Sequence, residues 1–381
     1  MQFDCIVIGA GLAGLTAARD LQDQGKSVLV LESSNRVGGR VKSDYQDGFI
    51  FDHGFQVINP RYPQVAKTKL IKELDFKYIS GTIRLADLDK KIGYNFGSFS
   101  SEIGSGVEKV KFLAFVLNPK VSSDKSFGFY ANKFPKLFAT VLSPFLSGVF
   151  LTDPRDISAQ VAQEILRSFI KSLPGVPANG VGAFSEKLAQ PLANLKTSAA
   201  VEKISGQQVF TNQGVFEAKY IVIASDPTSA IKLIGLNEEV KMLSSTTMYF
   251  ATNERLSNSK NLIVSAKSKL VNSLVISEVS KNYAPAGINL ISATSLSVLS
   301  EREFRSELSQ LWRSNTAGWD ALARYEIKES LPFHGIGKAK ASKLQISENL
   351  FVIGDHRSTP SQQGAMNSGA EVARLINQLT R

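Results

Sequence analysis

The stretch Asp4-Cys5-Ile6-Val7-Ile8-Gly9-Ala10-Gly11-Leu12-Ala13-Gly14 joins an apolar run to a Gly-x-Gly-x-x-Gly turn. Ile6, Val7 and Ile8 lack polar alternation, the pattern of a parallel strand covered on both faces. Gly9 permits a tight turn out of that strand. Gly11 lets the backbone approach a pyrophosphate, and Gly14 lets the next helix pack close to the sheet. The spacing predicts a helix from about Leu12 to Gln24, with its unpaired N–H groups and positive dipole end aimed at phosphates. Val28 to Leu31 reads as the second strand. Glu32 follows it, 18 positions after Gly14, where a carboxylate can accept hydrogen bonds from two ribose hydroxyls and disfavours a 2′-phosphate. A glycine triplet alone is a weak signal. Between an apolar strand and a helix, with the acid at this distance, it describes a pocket for an adenine dinucleotide.

That pocket suits NAD and FAD alike, and the next segment separates them. Arg36-Val37-Gly38-Gly39-Arg40 resembles the Arg-x-Gly-Gly-Arg element of the flavin amine oxidase superfamily, which includes monoamine oxidases, protoporphyrinogen oxidases and phytoene desaturases. The resemblance implies that this segment lies beside the FAD pyrophosphate, with arginine as the partner of the anion. Further blocks match in chain order. Asp52-His53-Gly54-Phe55-Gln56 resembles the segment that runs past the isoalloxazine ring. Ala199 to Ile204, then Tyr220 to Pro227, resembles the second half of the FAD domain, where the position of Val201 meets the adenine through its backbone. Leu350 to Asp355 reads as a strand ending in Gly354-Asp355, and Gln363-Gly364-Ala365-Met366 starts a helix running to about Leu379. Asp355 is implied to bond the ribityl chain or lie near the pyrophosphate. The start of the last helix, at Ala365 and Met366, is implied to face the pyrimidine edge of the flavin, where N–H donors stabilise negative charge.

The expected fold is α/β: a discontinuous Rossmann-like FAD-binding domain with a parallel sheet, carrying an inserted α+β substrate domain. Gly354-Asp355 must return to the N-terminal site, so the first domain is expected from 1–85, 180–232 and 342–381. The substrate domain is expected from 86–179 and 233–341. A length of 381 residues, 43% hydrophobic and 20% charged, suits a soluble two-domain protein. The single cysteine, Cys5, excludes an intramolecular disulfide and a Cys-x-x-Cys redox pair. Because Met1-Gln2-Phe3-Asp4 runs straight into the first strand, no leader is expected, and the location expected is cytoplasmic with peripheral membrane association as an addition. The net charge of +10 comes without a Lys/Arg block or a recognition motif. No nucleic-acid partner is expected, and the basic surface is either simply solvated or weakly attracted to anionic lipid.

Ten of the 23 phenylalanines fall between residues 96 and 150. They read either as an aromatic domain core or as an apolar substrate cavity with an amphipathic, lipid-facing mouth. Two prolines and a short apolar length argue against a membrane-spanning helix there. Leu331 to Lys338 resembles the Pro-x-Tyr-x-x-Gly-His segment of the protoporphyrinogen oxidase and desaturase branch, with its aromatic and histidine shifted. The aromatic-cage patterns of the monoamine oxidase branch are not evident. Lys328, Lys338, Lys340 and Lys343 lie nearby, each with a surface role as the default. Among three histidines, His53 and His356 fall in segments expected near the flavin. Each is a candidate to take a substrate proton or bond the flavin edge, or else a hydrogen-bonded wall residue. No metal site is expected, since the histidines are far apart without carboxylates at ligand spacing. Arg357 either holds an anionic group or pairs with Asp355. The function expected is hydride transfer from a C–H of an apolar, isoprenoid-like substrate to N5 of non-covalently held FAD, with dioxygen or a quinone as electron acceptor. A flavin amine oxidase and a non-catalytic, prenyl-binding escort protein on the same fold are the alternatives.

Overall fold

The computed structural model describes residues 2–93, 96–257, 259–337 and 342–380. Its centre is a seven-stranded sheet in which Gln2–Ile8 lies between Val28–Leu31 and the long strand Gly214–Ile223, parallel to both. Leu195–Lys196 extends the sheet beyond Val28–Leu31, also in parallel. The long strand changes partners along its length. Its first half pairs antiparallel with Gln208–Thr211, and its second half takes Leu350–Val352 in parallel. Cys5 to Val7, Leu29 and Val30, Ile221 to Ile223, and Phe351 with Val352 are buried on both faces of this sheet, as their unbroken apolar pattern requires.

Two helices cover one face together. Leu12–Asp23 follows the first strand, and the C-terminal helix Gln362–Leu379 packs across it. Small residues make the crossing close: a Cβ on Gly369 would lie 2.3 Å from the Ala13 carbonyl oxygen. The α/β architecture expected from the sequence is the one observed.

A second seven-stranded sheet runs in the order 320–332, 242–252, 289–295, 270–275, 262–264, 82–85 and 90–93. It is antiparallel except where Leu262–Val264 meets Thr82–Leu85. Thr82–Leu85, the end of the first expected segment 1–85, therefore belongs to this second sheet. The helices Gly106–Leu117, Ser143–Phe150 and Ala159–Lys171 are part of the insertion between the pieces of the first sheet. Phe127, Phe134 and Phe150 are buried there, with Phe127 in edge or tilted contact with Phe115, Phe134 and Phe138. Among the described residues no helix is long and apolar enough to cross a membrane.

Candidate active site

The dinucleotide turn is built from two glycine loops that lean on one another. Gly9, at φ +106°, turns the chain out of the first strand, and a Cβ on Gly14 would lie 2.0 Å from the Gly9 carbonyl oxygen. Gly38 N donates to Ala10 O at 2.8 Å, which sets the second loop against the first. A Cβ on Gly39 would stand 3.2 Å from Gly11 Cα. Gly11 differs from its neighbours, because a Cβ there would meet nothing within 4 Å. Its backbone fronts clear space at the start of a helix that carries no side-chain cap, so the first-turn N–H groups face outward.

Glu32 stands at the end of the second strand, buried, with Oε2 accepting from Ala10 N at 2.7 Å and Oε1 from Ser34 N at 2.9 Å. Ala199 N donates to Glu32 O at 2.8 Å. Val201, two residues further on, therefore starts its strand beside the Glu32 end of the site. Gly354 and Asp355 arrive from the far end of the chain. Asp355 Oδ1 accepts from Arg40 at 2.6 Å across 315 positions of sequence. Arg40 also donates to Ser330 O at 2.9 Å. The C-terminal helix starts behind them, with Ser361 Oγ accepting from Gly364 N, and Met366 buried in its first turns.

Arg36 finds its partners within the protein. Its guanidinium is engaged by Asp44 and by Ser43 O, with His53 Nε2 3.3 Å away. His53 Nε2 lies 2.8 Å from Asp44 Oδ2, the same oxygen that accepts from the Tyr325 hydroxyl at 2.8 Å. Burial pushes Asp44 up, yet hydrogen bonds from Tyr325, Arg36 and His53 outweigh it and hold the carboxyl down at about 2. Burial lowers His53, against the pull of Asp44. Asp44 and Tyr325 carried no sequence signal, since the hydrogen bond between them spans 281 positions.

Asp52, the acid that opens the flavin-like segment, is held on several sides. It is 3% exposed and accepts from Ser43 Oγ (2.6 Å), Tyr283 Oη (2.7 Å) and Val181 N (3.0 Å). Its own carbonyl accepts from the Tyr249 hydroxyl at 2.9 Å. The residue ties the Ser43–Asp52 hairpin to the 180–182 turn and to the second sheet. Burial raises its carboxyl to about 6 despite those donors.

His356 and Arg357 line a polar pocket of about 260 Å³ together with Asp355, His334, Glu238 and Glu239. Burial pushes His356 down to about 4, so its imidazole is neutral at neutral pH. Arg357 pairs with Glu238 at 2.7 Å, whereas Asp355 is held by Arg40, so of the two alternatives for Arg357 the pair with Asp355 is not formed. His334 joins His356 in this pocket although the sequence favoured only the latter. Lys328 and Lys343 are exposed; Lys338 and Lys340 lie outside the described residues.

A larger cavity of about 480 Å³ begins where the flavin segment ends. Phe55 and Val57 form one wall, and Ile83, Phe112, Phe145 and Phe169 form others. Ser80 and Asn272 are the only polar side chains among its described lining residues. The Phe-rich region divides: Phe127 and Phe134 fill a core, while Phe112 and Phe145 face the cavity.

The paired glycine loops, a buried acid beside them and a distant Gly-Asp bonded to Arg40 define a dinucleotide-binding flavoprotein. The clear space over Gly11 and the outward N–H groups fit a pyrophosphate there. The chain belongs to the flavin containing amine oxidoreductase family, whose model matches residues 12–377. Its cofactor is a flavin, FAD. Polyamine oxidase 2 of Arabidopsis thaliana is 46% identical over 71 residues, 17% of this chain and 14% of that protein. Putrescine oxidase of Kocuria rosea is 36% identical over 118 residues, covering 30% of this chain and 24% of the relative. These local matches span a quarter or less of the curated relatives' own length. A crystal structure of a putative protoporphyrinogen oxidase from Exiguobacterium sp. superimposes with a TM-score of 0.74 at 15% identity, covering 99% of each chain, and shows the fold.

Proposed function

We propose that this chain is an oxidoreductase that introduces a C=C bond into an apolar, isoprenoid-like substrate. FAD supplies the redox chemistry when bound, accepting a hydride from a substrate C–H at N5 and passing the electron pair to dioxygen or a quinone, while the neighbouring carbon gives up a proton. The observation that carries this reading is the apolar cavity meeting the Asp52–Gln56 segment at Phe55. Its walls exclude water and hold a hydrocarbon chain by burial alone. Gln56 Nε2 donates to Arg40 O (2.6 Å) and His53 O (2.9 Å), which fixes the backbone at the junction.

Gly9, Gly11, Gly14, Gly38 and Gly39 would carry the pyrophosphate, with Glu32 on the ribose and Val201 at the adenine. Arg40, Gly354, Asp355, Ala365 and Met366 would line the flavin end. His53 and His356 are the candidates to receive the proton, and His53 is oriented by Asp44. Arg36 acts in this reading through Asp44 rather than on the cofactor. The two sheets support a dinucleotide unit from 1–81, 180–232 and 342–381 and a substrate unit from the rest. The first boundary is moved ahead of Thr82 because that strand pairs in the second sheet.

An amine oxidase acting on a CH–NH group is the second reading, favoured by the local likeness to polyamine and putrescine oxidases. Against it, the described lining of the cavity holds no carboxylate to meet a cationic diamine. Anaerobic mixing with polyprenyl alkenes and with amines, followed by the flavin band, separates the readings. Bleaching by the alkene supports the proposal, and bleaching by amines alone sinks it. A colourless protein that takes up no added FAD would replace both with a prenyl-binding escort role.

A further inference from the structure

The outer face of the helix Gly106–Leu117 is apolar and uncovered. Val107, Val110, Leu113 and Leu117 are 64%, 68%, 51% and 66% exposed. At about 100° per residue they span an arc of roughly 120°, with Lys109 beyond one edge and Lys111 beyond the other. Phe96 and Phe99, 92% and 79% exposed, stand near the start of the same helix. Their neighbour Ser100 accepts from Lys109 Nζ at 2.8 Å. Large apolar side chains gathered in this way mark a surface that meets something.

Charge identifies what it meets. Residues 90–136 hold eight lysines and no arginine against Glu102, Glu108 and Asp124, so this segment carries half of the chain's +10. An apolar stripe edged by lysines matches a bilayer with anionic headgroups, because lysine stems lie along the hydrocarbon boundary while their ammonium groups reach the phosphates. The helix is a firm platform. Gln163 Nε2 donates to Phe115 O (2.6 Å) and Asn118 O (2.8 Å), and Arg167 Nε to Val116 O (2.6 Å). The apolar cavity lies behind this helix, on the side opposite the exposed stripe. Phe112 of the same helix lines it, and so does Ile170, which is 55% exposed.

We propose that the outer face of Gly106–Leu117, with Phe96 and Phe99, docks on an anionic lipid surface. The docking rests on the exposed apolar stripe and the charge, not on the redox reading, and the two can fail separately. The test is flotation of the FAD-loaded protein with phosphatidylcholine vesicles, with and without phosphatidylglycerol. Wild type is expected to float with the anionic vesicles and to release in high salt. The double variant Val110→Asp/Leu113→Asp is expected to lose on the order of tenfold or more in partitioning at unchanged flavin content. Absence of binding to either vesicle, or equal flotation of the variant, overturns the proposal. A lipid-free dimer that the variant converts to monomer, seen by light scattering, overturns it in favour of a second copy on this face. Flavin reduction by a detergent-dispersed substrate is followed in parallel. Its failure with flotation intact would count against the proposed reaction and leave the docking surface standing.

Discussion

Glu32 shows how much one side chain can be asked to hold. Its two oxygens accept from Ala10 N and Ser34 N, so the carboxylate braces the glycine turn as well as standing in the proposed ribose role. Glu32→Ala is expected to weaken FAD binding about ten- to a hundredfold, the worth of ~1.5–3 kcal/mol in charge-assisted hydrogen bonds. Flavin content after purification measures it, and full occupancy would remove Glu32 from the adenosine end. Asp52 and Asp44 make opposite contributions with pH. Asp52, raised to about 6, contributes stability fully below its unfolded value near ~3.9 and loses it as pH rises through about 6. Asp44, lowered to about 2, stabilises above that unfolded value and loses its contribution as pH falls toward 2. Asp52→Asn should therefore remove a gain on the order of 2 kcal/mol that acidification from pH 7 to pH 4 brings through this group. Thermal unfolding of both proteins across that range checks it, and parallel profiles would show that Asp52 does not titrate there. Glu32 was legible because its distance from the glycines is a local spacing. The Asp44–His53–Tyr325 cluster was not, because its members meet only when the strand Asp320–Pro332 folds over the Ser43–Asp52 hairpin.

The elements that the sequence placed best are those that lie inside the parallel sheet. Val28–Leu31 and Leu350–Val352 are apolar runs inside a parallel sheet, and both lie where their pattern puts them. The first helix ends at Asp23, within a residue of the expected Gln24. The second sheet was less legible, since half-buried strands such as Asp320–Pro332 mix polar and apolar residues whose partners lie far off in sequence. The crossing of Leu12–Asp23 and the C-terminal helix joins both ends of the chain, and its spacing depends on Gly369. Gly369→Ala would drive a methyl to 2.3 Å from the Ala13 carbonyl oxygen. The backbone must part, at a cost of about 1–3 kcal/mol. A lower unfolding midpoint together with a lower FAD content is the expected result. An unchanged midpoint would mean that the two helices are free to separate.

At the scale of the molecule, two sheets from interleaved segments place an apolar cavity at the end of the Asp52–Gln56 segment. Val149 lines that cavity away from the glycine loops. Val149→Trp should fill it and raise KM for an apolar substrate about tenfold, or ~1.4 kcal/mol, with FAD content unchanged. Steady-state kinetics beside the absorption spectrum measure both. An unaffected KM would place the substrate elsewhere. The sequence by itself determined the dinucleotide turn, the acid behind it, the flavin family and the α/β class, because these rest on local spacing and on burial patterns that short segments carry. Only the tertiary structure decided that Arg40 holds Asp355, that Arg36 belongs to Asp44 and Arg357 to Glu238, and that the phenylalanines divide between core and cavity. Those outcomes depend on which charges and apolar faces meet across hundreds of residues, and a chain specifies such meetings only by folding.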